Sequence, residues 1–139
     1  MSLKIKTLYL LMVTVISTIA PLSFPLLSFA ETVAARIYQT GETMTFIEIN
    51  LTPPAPPTLI VEMKLPSGSN IIKTMPPFSK QNKKSNSIKW LLKNVKDTSF
   101  SIQLVTQAKL DLGSTTVHIR YRNRDSGSLT EIQAVRVSQ

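Results

Sequence analysis

The chain predicts an all-β fold, a single antiparallel β-sandwich of seven to eight strands, and three observations carry that expectation. Beyond residue 31, apolar and polar side chains alternate at period two, with little helical periodicity. The four glycines, Gly41, Gly68, Gly113 and Gly127, fall between the alternating runs. Proline clusters and polar turn residues separate the same runs, at the short spacing of an all-β domain. An up-and-down barrel is the lesser alternative.

The elements follow in order. Val33 to Tyr38 is the first expected strand. Thr45, Ile47, Ile49 and Leu51 then alternate with Phe46, Glu48 and Asn50, and Leu59, Val61, Met63 and Leu65 alternate with Ile60, Glu62 and Lys64. Each run gives a buried and an exposed face. Pro53, Pro54, Pro56 and Pro57 between them form an extended connection that cannot be a central strand. Pro76-Pro77 opens a long polar loop through Asn86. Ile88, Trp90 and Leu92 mark the next strand, and Phe100, Ile102 and Leu104 the one after. Lys109 to Thr116 is open between a short strand and a segment in which Leu110 and Leu112 cover the end of the core. Asp125-Ser126-Gly127-Ser128 reads as a tight hairpin joining strands over 115–123 and 129–137. Trp90 is expected in the core, and Tyr121 points away from the arginines around it.

The first 30 residues read as a secretory signal peptide. Lys4 and Lys6 form a positive start, Leu8 to Ala20 is an uncharged and mostly apolar run, and Ser28-Phe29-Ala30 supplies small residues at a cleavage site. An uncleaved membrane anchor is the rival reading, since Thr7 to Ala30 holds no charge. Pro21 and Pro25 argue against it, because they interrupt a helix. Residues 31–139 then form one domain working outside the cytoplasm: secreted, periplasmic or at the cell surface. There is no cysteine. The domain must therefore rely on its core rather than on disulfides, and thiol catalysis, thiolate metal sites and a lipoprotein anchor are excluded.

Charge is the next signal. The leader holds only Lys4 and Lys6 of the 16 basic residues, so residues 31–139 carry 14 against 8 acidic, a net charge of +6. Such a balance suits an anionic partner, or simple solubility. Lys73 to Lys96 holds seven lysines and no acid. Within it Lys80, Lys83 and Lys84 lie in a stretch, Ser79 to Ser87, that reads as an exposed basic loop. His118, Arg120, Arg122 and Arg124 recur at a spacing of two, which places all four on one strand face. Guanidinium groups in such a row match phosphate, sulfate or carboxylate. The plainer readings are a solvated loop whose lysines block edge pairing, and an exposed face paired with Glu131 on the neighbouring strand. Whether the two basic features share a surface is not readable from the sequence.

Catalysis has little to stand on. A lone histidine among arginines makes a poor base, with no orienting carboxylate in view. Asp97, Asp111 and Asp125 lie near turns without the dense spacing of a calcium loop. Asn50-Leu51-Thr52 is a formal glycosylation sequon followed at once by Pro53.

One resemblance joins these pieces. Leu59-Ile60-Val61-Glu62-Met63-Lys64-Leu65-Pro66-Ser67-Gly68, Ile88-Lys89-Trp90-Leu91-Leu92, Phe100-Ser101-Ile102 and Gly113 occur in this order. The order resembles the immunoglobulin-like β-sandwich modules of bacterial secreted and surface proteins, over roughly residues 36–139. The chain departs from them in standing alone and in its arginine-rich late strand. The resemblance implies an adhesive, structural or accessory role with no active site to carry over. The expectation is a non-catalytic module without cofactor or metal. It docks to a protein partner in a larger envelope or extracellular assembly through sheet edges and a basic loop. The alternative is a module for an anionic polymer, polysaccharide or nucleic acid, held by Lys80, Lys83, Lys84, Arg120, Arg122 and Arg124. A small hydrolase is the third reading. Membrane contact is expected only if the leader is uncleaved.

Overall fold

The structure is a computed structural model and describes residues 32–138. The signal-peptide reading of residues 1–30 lies outside the described residues.

Among the described residues, ten strands form two five-stranded sheets. They are β1 (Val33–Thr40), β2 (Met44–Leu51), β3 (Thr58–Lys64), β4 (Ile71–Met75), β5 (Lys80–Asn82), β6 (Ser87–Lys93), β7 (Ser99–Thr106), β8 (Thr116–Arg122), β9 (Leu129–Gln133) and β10 (Val135–Arg136). The first sheet runs β10-β1-β2-β7-β4 and the second β5-β6-β3-β8-β9. The two-layer all-β expectation holds. Three details depart from it: there are ten strands rather than seven or eight, one pairing is parallel, and the 76–86 loop contains a strand.

The core forms where the period-two faces meet. Ile47 and Ile49 of β2 and Ile102 and Leu104 of β7 come from the first sheet. Val61 and Met63 of β3, Ile88 and Trp90 of β6, and Val117, Ile119 and Tyr121 of β8 come from the second. Among the described residues, 18 buried apolar side chains from Val33 to Ala134 form one core cluster. Thr45 is also fully buried, and its hydroxyl has no hydrogen-bond partner among the described residues. An unsatisfied buried hydroxyl carries a desolvation cost that an apolar isostere avoids. Thr45→Val is therefore expected to stabilise the domain by about 1 kcal/mol, a rise of several degrees in Tm by calorimetry.

Both sides of the sandwich are crossed by chain passing from one sheet to the other. After β4, Pro76 to Ser79 turn the corner into β5. The Trp90 indole donates to the Pro76 carbonyl at 3.0 Å, and the Ser79 amide donates to the Lys89 carbonyl at 2.7 Å. Phe78 packs against the core. The expected polar loop is thus a tethered corner followed by a short edge strand. On the other side β9 ends at Gln133, Ala134 is buried, and β10 joins the first sheet parallel to β1. The single strand expected over 129–137 is split there.

Other connections behave as read. Pro53 to Pro57 carry β2 across to β3, and the Pro57 carbonyl accepts from the Asn94 amide at 2.8 Å. Asn123 to Ser128 close the β8–β9 hairpin, with Gly127 at a φ of +66° that favours glycine. Of the two readings of 109–116, the covering segment is the one found. Leu110 is 3 % exposed, and Leu112–Ser114 is a 3₁₀ turn capped by Asp111. The Ser114 hydroxyl, then the Gly113 amide, hold the Asp111 carboxyl below its ordinary range. The ionised form supports the fold above the ordinary aspartate range, and that support is lost as pH falls through the depressed folded value. Asp111→Asn is expected to flatten this part of the acid response. Its urea midpoint should change less than that of the wild type between about pH 5 and pH 2.

Candidate functional site

The outer face of the second sheet carries most of the charge that drew attention in the sequence. Alternation on β3 turns Leu59, Val61 and Met63 inward and therefore Ile60, Glu62 and Lys64 outward. On β8 it turns Val117, Ile119 and Tyr121 inward and His118, Arg120 and Arg122 outward. Register then sets neighbours: Glu62 lies opposite Lys89 on one side and His118 on the other, Lys80 lies opposite Lys89, and Arg120 lies opposite Glu131.

The result is a zigzag of ion pairs across the sheet. Glu62 Oε2 accepts from Arg120 Nη2 at 2.8 Å and lies 3.2 Å from Lys89 Nζ. Arg120 Nε stands 3.8 Å from Glu131 Oε2, and Glu131 Oε1 is 3.0 Å from His118 Nδ1. The Ser87 hydroxyl also donates to Glu62. Glu62 is the hub, since its carboxylate fixes a lysine from β6 and an arginine from β8. Across the whole face, six cations (Lys64, Lys80, Lys89, Lys93, Arg120, Arg122) stand against two carboxylates, Glu62 and Glu131. The outer face of the first sheet is close to balanced. Arg36 meets Glu48 in a two-point contact at 2.8 and 3.0 Å, which holds the Glu48 carboxyl below its ordinary range. Tyr38 and Phe46 stack beside it with ring centroids 5.5 Å apart.

The six nominated cations do not form one cluster. Lys80, Arg120 and Arg122 share the outer face of the second sheet. Lys83 and Lys84 lie in the turn between β5 and β6, beyond the Ser87 end of β6. Arg124 is not on the arginine strand: β8 ends at Arg122, and Asn123 Oδ1 accepts from the amides of Asp125 and Ser126 to turn the chain. Arg124 thus lies at the opposite end of the sheet from Lys83 and Lys84, about 20 Å away along the strands. His118 does have a carboxylate beside it, Glu131, contrary to the sequence reading. The Glu131 pairing weighed as the plainer alternative is present.

The second feature lies at the edges. Among the described residues, seven large apolar side chains are notably exposed: Met44, Ile72, Met75, Leu91, Leu129, Val135 and Val137. Four of them belong to edge strands β4, β9 and β10, and Val137 follows β10 directly. The two longest edges differ in protection. β4 carries a bulge between Ile71 and Lys73, a lysine, and Pro76 just beyond its end, which are devices that blunt an edge. β9 is regular over all five residues and has no proline or lysine.

The β9 ladder also fixes which amides face outward. The Asn123 amide donates to the Ser128 carbonyl and the Ala134 amide to the Val117 carbonyl. Antiparallel alternation then turns Thr130 and Ile132 toward β8, and the backbone groups of Leu129, Glu131 and Gln133 away from it. Since β9 ends the sheet, no strand among the described residues pairs with that side.

No family profile and no curated protein matches the chain. Among solved structures, ChBD2 from Thermococcus kodakarensis KOD1 is similar with a TM-score of 0.41 and 11% identity, over 70% of this chain and 91% of that one. Among the described residues no three His, Asp or Glu side chains gather closely enough to hold a metal ion.

Proposed function

We propose that this chain is a non-catalytic binding module, exported from the cytoplasm, that docks to a protein of a larger envelope or extracellular assembly by accepting a strand on β9. The observation that carries this reading is the outward row of backbone groups at Leu129, Glu131 and Gln133, on an edge with no bulge, lysine or proline. Exposed Leu129, Val135 and Val137 continue along the same segment and offer apolar contacts beside the ladder. Strand addition combines these two elements: main-chain hydrogen bonds supply affinity, and alternate side chains supply selectivity. The strand order supports the immunoglobulin-like reading, with β1-β2-β7 facing β3-β8-β9 as A-B-E faces C-F-G in that architecture.

The test is capture by purified residues 31–139 from envelope and medium fractions of its own organism at low and high salt. A defined protein retained at high salt, and lost with Gln133→Pro, is the expected result. Equal capture by the variant would contradict edge docking.

A further inference from the structure

We infer that the outer face of the second sheet is a second docking surface, one that adsorbs to an anionic phospholipid membrane. Two observations meet on this face. The first is charge: Lys64, Lys80, Lys89, Lys93, Arg120 and Arg122 exceed Glu62 and Glu131 by four units, while Arg36 on the opposite face of the sandwich is matched by Glu48. The second is apolar exposure beside that charge. Leu91 is 43 % exposed between Lys89 and Lys93, and Leu129 is 69 % exposed opposite Arg122.

Lipid fits this combination better than the other anionic partners. A polysaccharide or nucleic acid would use the cations but leave both leucines in water. Stacking of bases or sugars is not offered by this sheet's Trp90 and Tyr121, which are buried on its inner side. A protein interface would use leucines, but lysine is depleted from such interfaces, and four of these six cations are lysines. Lipid headgroups accept lysines individually, with their alkyl stems lying along apolar surface. Glu62 does not oppose this, because it holds Lys89 and Arg120 in place from within the sheet.

The test is co-sedimentation of residues 31–139 with vesicles of mixed phosphatidylcholine and phosphatidylglycerol, and with phosphatidylcholine alone, at low and high salt. Lys80, Lys93 and Arg122 make none of the ion pairs described above, so Lys80→Gln, Lys93→Gln and Arg122→Gln together should leave the fold intact. The wild type is expected to bind the anionic vesicles only. The triple variant should lose roughly a hundredfold in partitioning. Leu91→Ser should lose roughly fivefold without changing the salt dependence. Absence of vesicle binding, equal binding to neutral vesicles, or full binding by the triple variant would each overturn the inference. So would an unchanged Leu91→Ser together with complete competition by a sulfated polysaccharide, which would make the face a site for soluble polyanions. Because the substituted residues lie on β5, β6 and β8 and leave the β9 backbone unchanged, either result leaves the β9 reading to its own test.

Discussion

Trp90→Ala is expected to be the most destabilising single change, at about 3–5 kcal/mol, a large share of the roughly 5–15 kcal/mol that holds a domain of this kind together. Trp90 is 1 % exposed, on the inner face of β6, directly opposite Val61. Its removal leaves a cavity between the sheets. It also removes the indole hydrogen bond to the Pro76 carbonyl that fastens the corner between β4 and β5. Urea unfolding followed by circular dichroism measures the loss, since the only tryptophan is gone. Trp90→Phe separates the two contributions. It keeps most of the volume but leaves the carbonyl without the indole, and should cost about 1–2 kcal/mol.

Gln133→Pro should have the largest effect on binding. Proline lacks the amide proton, and its ring projects on the side where an incoming strand would lie. Because the Gln133 amide faces away from β8, no rung of the β8–β9 ladder is removed. Proline is tolerated at such edge positions, and Ile132 before it is already extended. The variant is therefore expected to unfold within about 1 kcal/mol of the wild type while partner capture falls at least about tenfold. Ile132→Pro is the contrasting change. Its amide belongs to the ladder, so it should weaken the fold as well as binding.

The six interior strands were legible because period-two alternation runs through them without interruption. Of the edge strands, β4 and β5 were not, and β9 and β10 were read as one strand over 129–137. In β4 the bulge at Ile71/Lys73 leaves Ile72 outside the alternation, 65 % exposed, so the run lacks its pattern. In β5 all three residues are exposed and polar, and its strand character comes from pairing with β6. Ala134 breaks the last strand because a small side chain can be buried where the chain changes sheets. The charged face was half legible. Each strand's outward residues follow from alternation, but the meeting of Glu62 with Lys89 and Arg120 depends on the registers of β3 with β6 and β8. Arg124 was misplaced because a spacing of two continues past the end of a strand, and only the Asn123 turn shows where β8 stops.

Amide hydrogen exchange along β9, with and without the captured partner, tests the central claim most directly. Free protein should show alternation, with Thr130 and Ile132 protected and Leu129, Glu131 and Gln133 exchanging rapidly. Binding should slow the second set and leave the first unchanged. Outward amides that stay fast in the complex, with protection arising at another edge or on a sheet face, would contradict docking by strand addition at β9.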